Sequence, residues 1–294
     1  MKKKKIKVPH IATILNYVIL LAISLVFLLP FLYVVSMSFA SDASYGKYGA
    51  TLIPKEWSLA AYRYMFEYGT ALFQAFSVTL FVTAAGTVCS LSVTTLLSYG
   101  LSRRDVPYRK FFMTMVIITM FFNGGMIPQY LLVRSLGLLD TLAVMFVPSL
   151  VYSWNMIIMR NYFMSFPDSL MEAAKCDGAG EARVFFSIVL PASKAIIATI
   201  TLFCLVGYWN SWFPAALYIS DSTKWPVMLF LKNMLYNFSS VANMINPTGM
   251  VTSNPPTEAL KMACVVVVAL PIIISYPFAQ KYFVKGVMLG SLKG

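Results

Sequence analysis

Six apolar runs constrain this chain more than any other feature. They cover residues 11–37, 72–101, 111–133, 142–159, 195–217 and 260–278, and Lys261 is the single charged residue inside them. A helix needs roughly 20 apolar residues to cross a bilayer core. In hydrocarbon a segment must also satisfy its own backbone polar groups, which leaves the helix as the form for runs that do not alternate. The pattern predicts an all-α polytopic membrane protein with six transmembrane helices. Asn123-Gly124-Gly125 and Pro128 interrupt the third run near its end. The first run precedes Ser38-Phe39-Ala40, which has the look of a cleavage site. At 27 residues it is too long for a signal core of about 7–15, so it reads as an uncleaved span.

Composition agrees with a single membrane domain: 59% of the 294 residues are hydrophobic, 12% are charged, and mean hydropathy is +0.73. The net charge of +12 does not point to nucleic acid, because the bases flank the spans. With the N-terminus inside, Lys2, Lys3, Lys4, Lys5 and Lys7, the bases after span two, those of the loop after span four and those of the tail all face the cytoplasm. They make 16 of the 23 Lys and Arg, and the outer segments keep seven. Cytoplasmic loops carry the excess of Lys and Arg, so both termini are expected to be cytoplasmic.

Several chemistries are missing. No phosphate-binding Gly-x-x-x-x-Gly-Lys-Ser/Thr loop, no Gly-x-Ser-x-Gly elbow and no Cys-x-x-Cys pair occurs. His10 is the only histidine, and Cys89, Cys176, Cys204 and Cys264 have no paired spacing. No metal site or disulfide framework is expected. A stand-alone carrier coupled to protons or sodium would place acids or bases within its spans, and a membrane-embedded enzyme acting on lipid or glycan would need acids near one face. The sequence disfavours both and sends the energy source to another chain.

The most charged interior stretch lies between spans four and five. Glu172, Lys175, Asp177, Glu181 and Arg183 fall within twelve residues. Ser169 and Glu172 have the spacing of a capping box. Gly178 and Gly180 can supply a left-handed stop, a second helix is expected from Glu181 to Val189, and Pro191 stands where the next span should begin. Ala173 and Ala174 form a low face that could enter a cleft, while Glu172 and Asp177 can accept hydrogen bonds from a basic partner. A helix lying on the bilayer is the alternative. It should be basic and strongly amphipathic, whereas this one carries as many acids as bases.

This stretch resembles the EAA loop of ABC importer permease subunits. Glu172-Ala173-Ala174, Asp177, Gly178 and the run Ile188-x-Leu190-Pro191 match the pattern. Three further stretches look like carbohydrate-uptake permeases of the MalG-like family, in the branch similar to the LplC and YtcP permeases: Ser98-Tyr99-Gly100-Leu101-Ser102-Arg103, then Trp209-Asn210 with Phe213-Pro214, and Gln280 to Gly286 with Lys293-Gly294.

The resemblance implies the ABC importer (MetI-like) permease fold. It divides the chain into a basic cytoplasmic N-terminus (1–10), a six-span permease domain (11–280) with its coupling loop at 162–191, and a cytoplasmic tail (281–294). It implies no catalysis and no cofactor on this chain, with ATP and magnesium bound by a partner ATPase. It also implies a bacterial cytoplasmic membrane location. The partners would be a second homologous permease in a heterodimer, two cytoplasmic ATPase subunits and an extracytoplasmic solute-binding protein. Glu172, Ala173, Ala174, Asp177, Gly178, Leu190 and Pro191 would dock into the ATPase, and Lys285, Gly286, Lys293 and Gly294 would reach it from the tail.

Segments 41–70 and 218–257 are candidate docking surfaces for the binding protein. The branch resembles importers of oligosaccharides and polysaccharide fragments, including acidic ones such as alginate oligomers. Trp154, Asn155, Tyr208, Trp209, Asn210 and Trp212 are candidates for the substrate path, since sugars favour aromatic faces and amides. Trp and Tyr also serve interfacial belts, and Asn also ties helices together. No cationic clamp within the spans marks an acidic substrate.

Overall fold

The computed structural model describes residues 10–49, 51–236 and 257–291, with the backbone alone described over 276–291. The lysines at positions 2–7, Lys293, Gly294 and residues 237–256 of the candidate docking segment lie outside the described residues. Among the described residues there is no strand, only an isolated bridge between Ala40 and Trp57.

Three helices are long and apolar enough to cross a membrane singly: α1 (His10–Ser38), α4 (Thr70–Ser102) and the last helix, Thr257–Ser291. Three bent pairs could each make one more span: α5 (Arg109–Phe121) with α6 (Met126–Ser135) at 119°, Leu142–Ser149 with α7 (Ser153–Met164) at 50°, and Glu181–Ala192 with Lys194–Trp209 at 79°. By length and composition the described residues therefore hold from three to six spans. Two short helices, α2 (Asp42–Tyr48) and α3 (Ala60–Tyr68), lie between α1 and α4.

The breaks fall where the sequence cannot continue an α-helix. The Asn123 side-chain oxygen accepts the Gly125 N–H at 2.9 Å, a local turn that competes with helix. The expected helix over 142–159 is only half helical: two 3₁₀ turns around Pro148 replace it up to Ser149. The expected fifth span, 195–217, is shorter than predicted. Its helix ends at Trp209 and a new one, Phe213–Tyr218, starts with Pro214 in its first turn. Ahead of Pro191 the chain makes a π-helical turn, Phe185–Val189. That widening admits a residue with no N–H, whose ring would strike the Ser187 carbonyl in a regular α-turn. The last helix runs past the expected end of span six through Gly286 to Ser291, where the sequence suggested a tail.

The chain forms two compact units, 1–70 with 234–269 and 71–233 with 270–294. In the first, the Ser38 hydroxyl is wholly buried, donates to the Val35 carbonyl at 2.6 Å and pairs with the Tyr62 hydroxyl at 2.8 Å. The cleavage-like stretch is thus packed structure. In the second, α4 presents a buried stripe of small polar residues, Thr79, Thr83, Gly86, Thr87, Ser90, Thr94 and Ser98. Small residues let membrane helices approach closely. One of them also meets a carbonyl in the break before α7, Ser90 donating to Leu150 O at 2.6 Å, while Ser98 adds a bond to Met156 O within α7 at 3.0 Å. Without such partners, free carbonyls could not persist at membrane depth.

Candidate coupling site and substrate path

The charged stretch folds into α8 (Asp168–Cys176). The predicted capping box does not form. Pro167 is the N-cap and no side chain caps it, because the helix begins one residue before Ser169 and leaves that hydroxyl inside the first turn. The other end matches expectation. Gly178 adopts φ +78, its N–H bonds to Lys175 O at 3.0 Å, and the Ala179 N–H bonds to Ala174 O at 2.9 Å. This pair of bonds is a complete Schellman stop. Gly180 is extended, with φ −69 and ψ 163, and starts the next helix instead.

Met171 and Ala174 turn inward, and Met171 is only 6% exposed. Glu172, Ala173, Asp177 and Gly178 face out, as does Pro191, while Leu190 is half-buried. Of the residues expected to dock, Glu172, Ala173, Asp177 and Gly178 are thus exposed on and just after α8, Ala174 is packed inward, and Leu190 and Pro191 belong to a later helix, Leu190–Ala192. The tail candidates Lys285 and Gly286 lie on the last helix, where only the backbone is described.

A junction that the sequence did not announce fixes α8 to the end of α4. Glu181 Oε1 pairs with Lys175 Nζ and lies 3.6 Å from Arg103 Nη2. Its other oxygen accepts the Tyr99 hydroxyl at 3.1 Å. Arg103 also donates to the Met171 sulfur at 2.8 Å and stands 3.6 Å from Asp105. The hydrogen bond from Lys175 does most to hold the Glu181 carboxyl below its usual range; burial opposes it, and Arg103 and Tyr99 add to it. Single exposed pairs contribute about 0–1 kcal/mol, but this network ties three segments through one carboxylate. Beside it lies a cavity of about 300 Å³ with Arg103, Arg104, Asp105, Glu172 and Lys175 on its walls. Between Tyr99 and Arg103, the Leu101 carbonyl accepts Arg160 Nε at 2.9 Å, which tethers α7 to the same end of α4.

The six substrate-path candidates do not form one cluster. Asn155 and Tyr208 line a cavity of about 280 Å³ together with Ser149, Tyr152, Cys204 and Ser211. Asn155 is buried and donates weakly to the Cys204 sulfur at 4.0 Å; the Tyr208 hydroxyl donates to Ser149 O at 3.4 Å. Trp209 turns to the other side of its helix, against Phe76, and lines a separate apolar cavity with Leu80, Leu202 and Pro271. Trp154 is 62% exposed. The exposed Asn210 bonds its own helix at Val206 O, 2.9 Å. Trp212 packs edge-on to Phe213 and carries the Lys232 ammonium 3.2 Å from its ring centroid.

A clasp closes the far end of this unit. Asp140 Oδ1 accepts the N–H groups of Ser220 at 2.6 Å and Asp221 at 3.2 Å, and Lys224 donates to Asp140 O at 2.9 Å. Nearby, the Val227 N–H bonds to the Thr79 hydroxyl at 2.8 Å. From Thr79 to Tyr99, α4 covers roughly 30 Å at 1.5 Å per residue, so the clasp and the Glu181 junction lie about a hydrocarbon thickness apart. The clasp had no sequence signal beyond an isolated Asp in a short loop. The junction could have been suspected from Tyr99 and Arg103 at the end of span two.

The chain is similar to known proteins over most of its length. Residues 97–289 match the family described as binding-protein-dependent transport system inner membrane component. The chain is 43% identical over 280 residues to the polygalacturonan/rhamnogalacturonan transport system permease protein YtcP of Bacillus subtilis strain 168, which covers 95% of this chain and 97% of that one. It is 40% identical over 288 residues to protein LplC of the same strain, covering 98% and 97%. A chain from the crystal structure of a bacterial ABC transporter involved in import of the acidic polysaccharide alginate superposes with a TM-score of 0.84 at 32% identity, over 93% of this chain and 97% of that one.

Proposed function

Because the chain belongs to the family of binding-protein-dependent transport system inner membrane components, we propose that α8 is its coupling handle to a cytoplasmic ATPase. The protein is a non-catalytic permease subunit of an ABC importer for sugars or oligosaccharides, with the MetI-like permease fold. Its family membership brings an ATPase and a solute-binding protein as partners.

The finer reading has six spans, both termini in the cytoplasm, a bacterial cytoplasmic membrane, and a heterodimer with a homologous permease. The coupling loop is 162–191, and residues 281–294 extend toward the ATPase. ATP and magnesium stay on that subunit. The observation that supports the handle is the division of α8 into two faces. Glu172, Ala173 and Asp177 are exposed, whereas Met171 and Lys175 are tied through Glu181 and Arg103 to α4. A short helix fixed in this way moves as a body, because packed interfaces shift between discrete arrangements. Closure of the ATPase would swing α8 and pull the end of α4, opening the cavity at Asn155 and Tyr208 to alternate sides.

The relatives named for the acidic polysaccharide alginate and for polygalacturonan/rhamnogalacturonan support fragments of acidic polysaccharides as cargo. Glu172→Lys tests the handle: uptake into proteoliposomes is expected to vanish while the complex still assembles. Normal uptake by that variant would overturn the coupling role, and uptake by vesicles holding no ATPase would replace it with a stand-alone carrier.

A further inference from the structure

Lys232 lies on the helix Val227–Tyr236, whose residues Val227, Leu229, Phe230, Leu231 and Met234 are buried. Its own side chain is half-buried, with the ammonium 3.2 Å from the Trp212 ring centroid. An aromatic face compensates a partly desolvated cation but leaves its N–H donors largely free. Among the described residues no carboxylate lies within ion-pairing distance of it. Lys224, on the same segment, is by contrast tied to Asp221 at 3.5 Å and to the Asp140 carbonyl. Trp212 directly follows Ser211, which lines the cavity of Asn155 and Tyr208. A half-buried cation with no carboxylate partner among the described residues thus sits on a ring whose chain neighbours Ser211 and Pro214 line that cavity, and its donors suit an anion.

We propose that Lys232, seated on Trp212, reads a carboxylate of the cargo at the entrance to the substrate path, so that the site takes sugars bearing an acid group. This rests on the glycan-import reading above. The ring fixes the ammonium in place, and the ammonium makes a charge-assisted hydrogen bond to the acid. Ser149, Asn155 and Ser211 on the otherwise apolar cavity wall then meet hydroxyls of the sugar, and Tyr152 and Tyr208 offer it ring faces.

The test uses the whole reconstituted complex and two probes, a uronic acid tetrasaccharide and the same tetrasaccharide with its carboxyls reduced to alcohols. K232M is expected to raise KM for the acidic probe roughly tenfold, the scale of one hydrogen bond to a charged group. It should leave kcat and all transport of the reduced probe as in wild type, and K232R should recover most of the loss. Equal losses on both probes would assign Lys232 to packing or to docking of the binding protein and overturn the proposal, as would no loss on either. A wild-type complex that carries only the reduced probe overturns this inference and the acidic-cargo reading, while glycan import stands. One that carries neither overturns the glycan-import reading and this inference with it.

Discussion

Arg103 Nη2 stands 3.6 Å from Glu181 Oε1, which joins the end of one long apolar helix to the helix that follows α8. Tyr99 and Lys175 complete the same carboxylate. Glu181→Gln keeps the size and an acceptor for Tyr99 but removes the charge. The complex should assemble and hydrolyse ATP, while uptake per ATP falls roughly 2- to 30-fold, equivalent to about 0.5–2 kcal/mol of coupling. Measuring uptake and hydrolysis on the same proteoliposomes checks this. An unchanged ratio would reduce the junction to a surface ion pair.

The same carboxylate sets a pH dependence. Its folded pKa is depressed below the ordinary value of 4.5, chiefly by the Lys175 hydrogen bond. Its contribution to stability is therefore complete above 4.5 and is lost as pH falls through the depressed value. The side chain is 49% exposed, so solvent screening limits the gain to at most about 1 kcal/mol. Thermal unfolding of the solubilised complex should show wild type losing its margin over Glu181→Gln as pH drops below 4.5, with the two curves meeting in stronger acid.

Gly178 has φ +78 and open space around the position of a Cβ. Substitution there costs backbone strain alone, about 1–2 kcal/mol for an ordinary residue in the left-handed region. Asn tolerates that region better than Val. Uptake should accordingly fall in the order wild type, Gly178→Asn, Gly178→Val, with assembly preserved. Equal uptake by Asn and Val variants would mean that the stop of α8 is not what transport requires.

Gly86 poses the opposite case, since a Cβ would lie 2.9 Å from the Tyr208 ring. Gly86→Ala must displace that ring, at an overpacking cost of about 1–3 kcal/mol. Lower thermal stability and lower yield of the complex are expected. Tyr208→Leu in the same chain should recover part of both.

What was legible beforehand follows from the range of each signal. Apolar runs are local, so the places of the six segments could be read. The Schellman stop at Gly178 was equally readable, because one residue type dominates that conformation. Breaks at Pro148 and after Trp209 were missed because hydropathy does not register which carbonyls are free. Ser90, on another helix, accounts for one of them. Glu181 and Arg103 are 78 positions apart, and no spacing rule links them. The path candidates were chosen by residue type, and type does not say which side of a helix Tyr208 and Trp209 take.

The cysteines offer a direct test of orientation. Cys176 closes the last turn of α8 and is exposed, whereas Cys204 and Cys264 are buried. Cys89 is exposed as well, but it lies within the apolar helix Thr70–Ser102, where a hydrophilic reagent in the water phase does not reach. A membrane-impermeant maleimide should therefore label one site, in inside-out vesicles and not in right-side-out ones, and Cys176→Ser should abolish the label. Adding the ATPase subunit should protect the site, since the neighbouring Glu172, Ala173 and Asp177 would then be covered. Labelling from the outer face would put α8 on the wrong side of the membrane for an ATP-driven handle. Labelling from the inner face with no protection would leave the orientation standing and remove the docking.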